Sequence, residues 1–210
     1  MNNQVLFLPG ASGDTSYWQN VANQVAPNAE KLHVGWPGFG STPADPAVTC
    51  FDDLVSIVVR KINRPTTLIA QSMGCVVAMR ATLERSELVT HLVLCVVAGG
   101  IYLDDLNVRD WRSDVLAQDY SCHHWFAAYN EDLSKEIATI GAKTLVISGE
   151  ADPTSPVALG QRIASLISNS KHHVIRGGEH NLARSRASEI APLIERHFFY
   201  SECIKSSISE

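Results

Sequence analysis

Leu68-Ile69-Ala70-Gln71-Ser72-Met73-Gly74-Cys75-Val76-Val77-Ala78 joins two kinds of periodicity in one short stretch. Thr66 to Ala70 is apolar and β-prone, whereas Met73 to Leu83 is small and apolar at helical spacing. A strand that feeds straight into a helix must hold the turning residue at a strained backbone angle. Its neighbours must be small, because the helix starts almost against the strand. Ala70-Gln71-Ser72-Met73-Gly74 meets that demand. It raises the Ser72 hydroxyl on the turn, at the positive end of a helix, and marks it as a candidate nucleophile. An ordinary strand–turn–helix with an incidental serine would satisfy the same five residues, so the remainder of the chain decides.

Outward from this junction the pattern alternates. Val5 to Leu8 is continuously apolar, as expected of a strand buried on both faces of a parallel sheet. Lys31 to Trp36, Leu92 to Val97, Thr144 to Ser148 and His173 to Arg176 read as further strands. Between them, helices are expected at Trp18 to Val25, Phe51 to Ile62 (with Thr49 as N-cap), Val157 to Ile167 and Ala187 to Phe199. This alternation implies an α/β fold with a mainly parallel six-stranded sheet and helices on both faces. From about 99 to 141 the strand signals vanish and acidic and aromatic residues rise, so the segment reads as an insertion in one domain spanning 1–210. Ser201 to Glu210 reads as a frayed tail.

The 210 residues suit one domain and bury roughly 70% of the unfolded surface without a disulfide staple. Five cysteines, an odd number scattered without a Cys-x-x-Cys, argue against a disulfide framework and a zinc site, and suggest a reducing, cytoplasmic setting. No His/Cys/Asp cluster has metal-ligand spacing, and no cofactor is expected. Pro37-Gly38-Phe39-Gly40-Ser41 completes no nucleotide-binding fingerprint. The start carries no signal-peptide pattern and no run reaches membrane-spanning length. A formal net charge of −5 gives no footprint for nucleic acid or an anionic membrane. The sequence leaves the oligomeric state open.

A serine needs a base, and the base an orienting group. In an open parallel sheet such groups gather beyond the carboxyl ends of the strands. Two late loops qualify. Gly149-Glu150-Ala151-Asp152-Pro153 offers two carboxylates, Glu150 and Asp152, and Gly177-Gly178-Glu179-His180-Asn181 offers His180 on a flexible turn. The other histidines lie in or beside strands (His33, His91, His172, His173), in the insertion (His123, His124) or in the last helix (His197). A tetrahedral intermediate also needs N–H donors, and the N–H of Met73 is one candidate.

The elbow, and the order serine, acid, histidine along the chain, resemble the α/β-hydrolase family, with Ala70 where the first elbow glycine usually stands. The resemblance implies that the family's two usual N-terminal strands are missing and that 99–141 is a short helical cap. It implies a triad of Ser72, Asp152 and His180, and a second oxyanion donor at the N–H of Ala11. The expected loop histidine is replaced by Pro9. The turn at 37–41 borders the pocket, with Phe39, Trp111 and Trp125 as lining candidates.

The function implied is a serine hydrolase cleaving a carboxylic ester or thioester of a small to medium apolar acyl group, with a small-molecule ester as partner. Between 99 and 141 eight acids stand against three bases, an excess equal to the whole chain's −5, which disfavours anionic substrates. Three alternatives arise. The loop Gly10 to Asp14 with Trp18 is similar to that of the 2-succinyl-6-hydroxy-2,4-cyclohexadiene-1-carboxylate synthases, lyases with the same triad. There, an arginine follows the elbow where Val76 stands here, and only Arg109 or Arg112 could substitute. The acyl-carrier-protein methyl ester esterases share the family, and so do receptors that keep the triad but turn over slowly.

Overall fold

The computed structural model describes residues 3–102 and 124–199. Six strands form one sheet: β1 (Gln4–Leu8), β2 (Glu30–His33), β3 (Thr66–Gln71), β4 (Val89–Cys95), β5 (Lys143–Gly149) and β6 (Ser170–Ile175). Their order is β2-β1-β3-β4-β5-β6 and every pairing is parallel. The chain runs outward from β1 to β2, returns across it to β3, and then steps one way to β6. The reversal puts the carboxyl ends of β1 and β3 side by side, the place where open parallel sheets hold their sites.

Helices cover both faces, as the alternating pattern requires. On one face lie α2 (Phe51–Lys61), α3 (Gly74–Glu84) and α6 (Val157–Leu166), with the short α4 (His124–Ala128) and α5 (Ser134–Ile137) of the connection from β4 to β5. On the other lie α1 (Gln19–Ala22), α7 (Leu182–Ser185) and α8 (Ala187–Phe199). β1 and β3 are buried along their whole length, which is why their sequences are apolar without alternation. Their side chains divide between the two cores: Leu6, Leu8, Leu68 and Ala70 face α2 and α3, while Val5, Phe7 and Ile69 face α1 and α8.

Several boundaries differ from the sequence reading, each for a visible reason. β2 stops at His33 rather than Trp36. The Val34 N–H still donates to the Phe7 carbonyl, but Trp36 turns inward and donates its indole N–H to the carbonyls of Pro9 (3.3 Å) and Gly10 (3.1 Å). β4 starts earlier and ends at Cys95, because Val96 adopts φ 47° and turns out of extended conformation while its N–H still donates to the Ile147 carbonyl (2.8 Å). β6 runs from Ser170. It is an edge strand whose five residues before Ile175 are all partly or fully exposed, so apolar patterning marks only its end. The N-cap of α2 is Cys50, not Thr49: Asp53 Oδ2 accepts from the N–H of Cys50 (3.0 Å) and of Thr49 (2.8 Å), closing a capping box. Trp111, Arg109, Arg112, most of the insertion's acids and the tail from 200 lie outside the described residues.

Candidate active site

Ser72 follows β3 directly and is the first residue of the turn into α3. Its φ of 54° is in the left-handed region, which an L-residue enters only when its surroundings force it. The forcing is visible around it. The Ser72 N–H donates to the Cys95 carbonyl (3.0 Å), and its own carbonyl accepts from Cys75 (3.0 Å) at the start of α3. The loop after β1 presses on the turn. A methyl group on Gly10 would come within 3.0 Å of Ser72 Cβ, and one on Gly74 within 2.2 Å of the Pro9 carbonyl oxygen. Small residues at 10 and 74 are thus set by contact between the two loops, and Ala70, fully buried in β3, is tolerated where glycine was expected.

The structure brings the three sequence candidates together. His180 Nε2 lies 3.0 Å from Ser72 Oγ, and His180 Nδ1 lies 2.7 Å from Asp152 Oδ2. The Asp152 side chain is wholly buried, whereas about a third of the His180 side chain is exposed, so the relay runs from the interior out to an accessible edge. Asp152 Oδ1 accepts from the N–H groups of Thr154 (2.9 Å) and Ser155 (3.0 Å). Three acceptor directions of that carboxylate are therefore committed by geometry, two on Oδ1, and only Oδ2 points at the histidine. Glu150, the rival carboxylate, is exposed and accepts instead from the Gly177 N–H (2.8 Å). It ties the acid loop to the histidine loop, a role that nothing in its sequence context announces.

The N–H groups of Ala11 and Met73 take part in no hydrogen bond among the described residues. They flank Ser72 from two sides, one on the loop packed against it and one at the foot of α3. Cys75, the second residue of α3, is fully buried, donates to the Cys95 carbonyl (3.5 Å), and has its thiol pushed well above its usual range by burial. Cys95 is shifted the same way, again by burial first. Neither buried thiol is a candidate nucleophile.

The pocket candidates separate. Phe39 is 2% exposed and packs edge-on against Trp125 and Phe126, so it belongs to the core rather than to an open lining. Trp125 is half-buried and lines a cavity of about 360 Å³ with Pro37, Gly38, Pro46, Val48 and Thr49. A larger cavity, about 530 Å³, lies between α3 and residues 130–136, and no member of the Ser72–His180–Asp152 set lines either cavity. Among the described residues no cluster of His, Cys, Asp and Glu could hold a metal ion, and no helix is long and apolar enough to cross a membrane.

The alpha/beta hydrolase family model matches residues 5–193. Solved structures resemble this chain over nearly its whole length. The meta-cleavage product hydrolase CumD of Pseudomonas fluorescens is 18% identical, covering 96% of this chain and 92% of its own, with a TM-score of 0.75. A thermophilic esterase from Thermogutta terrifontis is 17% identical over 96% of this chain and 90% of its own, with a TM-score of 0.74. MenH from S. aureus is 20% identical over 94% of each chain, with a TM-score of 0.74. At these identities the likeness is one of fold. Among curated proteins none matches this sequence.

Proposed function

The chain belongs to the alpha/beta hydrolase family, and from that membership we propose that it is a serine hydrolase cleaving a carboxylic ester or thioester through an acyl-enzyme. The observation that carries the reading is the continuous hydrogen-bonded line Ser72 Oγ–His180 Nε2 and His180 Nδ1–Asp152 Oδ2. Ser72 Oγ attacks the carbonyl carbon while His180 Nε2 takes its proton. Asp152 fixes the tautomer by accepting from Nδ1–H, and stabilises the imidazolium that forms. The carbonyl oxygen becomes an oxyanion held by the unspent N–H groups of Ala11 and Met73. Collapse expels the leaving group, which takes the proton from Nε2. Water then repeats the sequence on the Ser72 ester and frees the acid.

The substrate proposed is a small-molecule ester with a small or medium, neutral, apolar acyl group. Two features support this. Pro37, Ala44, Pro46, Val48 and Trp125 give the cavity beside the turn at 37–41 a largely apolar wall, with Asp45 at its edge. The described part of the 99–141 cap places Glu131, Asp132 and Glu136 at the surface against Lys135 alone, which repels anions. The free cysteines Cys50, Cys75 and Cys95 support a cytoplasmic setting. The test combines a fluorophosphonate, located by mass spectrometry, with matched neutral and anionic esters at low and high salt. Labelling should fall on Ser72 alone and kcat/KM should favour the neutral ester, most strongly at low salt. Labelling of another serine would overturn the nucleophile, and a preference for the anionic ester would overturn the substrate class.

A further inference from the structure

Three loops meet at the site, and two of them are joined by side chains that take no part in the proposed chemistry. Tyr17 follows the loop that carries Ala11. Its buried phenol reaches across to the loop that carries His180, donating to the His180 carbonyl (3.3 Å) and accepting from the Ala183 N–H (3.4 Å). Burial pushes the phenol pKa well above its usual range, so Tyr17 stays a donor at any working pH. Beside it, Asp14 on the first loop pairs with Arg184 on α7, and the Arg184 guanidinium lies 5.7 Å over the Tyr17 ring. Asp14 is itself fixed: its Oδ1 accepts from the Ser16 hydroxyl (2.7 Å) and the Ser16 N–H (2.8 Å), which with Arg184 hold its carboxyl below the usual range. Behind Tyr17, Trp18 anchors the same segment to the sheet by donating its indole N–H to the Leu8 carbonyl (2.9 Å).

We propose that Tyr17, together with the Asp14–Arg184 pair, is a positioning bridge that locks the oxyanion loop at Ala11 to the histidine loop at His180. It rests on the triad reading above. The two loops come from opposite ends of the chain: the Tyr17–His180 contact joins residues 163 apart. Without a bridge, the distance between the base and the oxyanion donor would depend on packing alone. Both must be placed at once on one carbonyl, the base toward Ser72 Oγ and the donor toward the oxygen, and displacement by about 1 Å costs on the order of 100-fold in rate. The bridge fixes the backbone of His180, while Asp152 fixes its ring.

Tyr17→Phe removes both bonds and keeps the ring. With a short p-nitrophenyl ester, kcat should fall about 10-fold while KM stays within about twofold, because the interaction lost is made in the transition state. The rate of fluorophosphonate labelling should fall with kcat. Arg184→Gln should lose a few-fold in kcat, Arg184→Lys should recover most of it, and exchanging the pair as Asp14→Arg with Arg184→Asp should exceed either single change. A Tyr17→Phe enzyme with unaltered kcat, or a loss shared equally by kcat and thermal stability with no recovery in Arg184→Lys, would overturn the bridge. Should Tyr17→Phe fail to fold, the Arg184 series and the exchange decide. Loss of the triad reading is separable: Ser72→Ala would then still be labelled, whatever the Tyr17 and Arg184 variants do.

Discussion

Among the described residues, two serine–histidine pairs have almost equal length. Ser72 Oγ and His180 Nε2 are 3.0 Å apart, and Ser148 Oγ and His172 Nε2 are 2.9 Å apart. A hydrogen bond between these residue types is therefore no sign of catalysis. The difference lies in the surroundings. Ser148 sits within β5, paired with Val174 of β6, and α6 passes directly over it. A methyl on Gly160 would come 2.2 Å from Ser148 Oγ and 3.0 Å from His172 Nε2, so no substrate carbon fits there. No carboxylate meets the other ring nitrogen of His172 among the described residues. Ser72 has left its strand at φ 54°, has unspent N–H groups on either side, and has a histidine oriented by a buried carboxylate. What sets Ser72 apart is its exit from the strand, a histidine oriented by a third partner, and unspent N–H groups beside it.

Removing the two serines in turn should give the largest contrast. Ser72→Ala should lower kcat by at least about 10⁴-fold, as loss of a triad nucleophile does elsewhere. Ser148→Ala should leave kcat within about twofold and act on stability alone, since it strands His172 Nε2 under α6. Equal losses of activity would erase the distinction. Asp152→Asn should follow closely, at about 10⁴-fold in kcat, because an amide favours the wrong histidine tautomer. Glu150→Gln should cost far less, since it weakens only the acceptor for the Gly177 N–H. Activity ratios measured at a pH near neutrality check both, and a damaging Glu150→Gln beside a harmless Asp152→Asn would reassign the acid.

The first pair was legible in the sequence and the second was not, for one physical reason. Strand ends in a parallel sheet are marked by where apolar runs stop, so Ser72, Asp152 and His180 could be placed at the same end of the sheet without coordinates. The Ser148–His172 pair depends on the register of β5 with β6, and an edge strand with the burial pattern of Ser170–Ile175 carries too little apolar signal to fix register. Its histidines were read as bystanders on position alone. Tyr17 was invisible for a similar reason: its bonds reach 163 and 166 residues ahead, and nothing local distinguishes it from a packing aromatic. Phe39 stands in a Pro-Gly-x-Gly turn that suggested a lining residue, and in the fold Gly13 and the Trp125–Phe126 pair pack against it. Trp111 lies outside the described residues.

A smaller effect should come from crowding the second pair without touching either member. Gly160→Ala puts a methyl against Ser148 Oγ and His172 Nε2, with Val146 at 3.4 Å on the third side. Overpacking of this kind costs about 1–3 kcal/mol, read as a lower midpoint in denaturant, while kcat per folded molecule should not change. A drop in kcat at full folding would show that strain at β5 reaches Asp152 through the loop that follows, and the two pairs would then be mechanically coupled.

Acidification should separate the pairs by sign and by observable, with the smallest effect of the set. Burial first, and then His173, lower the His172 pKa. Burial, then His197 and Lys143, lower His91 to about 4, and burial with Lys143 and Lys171 nearby lowers His197. An unfolded histidine titrates near 6.5, so between that value and the lower folded one the unfolded chain binds more protons than the native one. Stability is then full above 6.5 and is lost as pH falls, for His91 across the window from 6.5 to about 4. The slope is below about 1.4 kcal/mol per pH unit for each histidine, because part of each ring still meets solvent. Denaturant midpoints at pH 7, 6 and 5 should decline, and His91→Asn or His172→Asn should each flatten the decline. Activity per folded molecule should not follow His172, whose bonded serine is Ser148 rather than Ser72. If stability instead rose on acidification through this window, His172 would be charged in the fold and donating to Ser148.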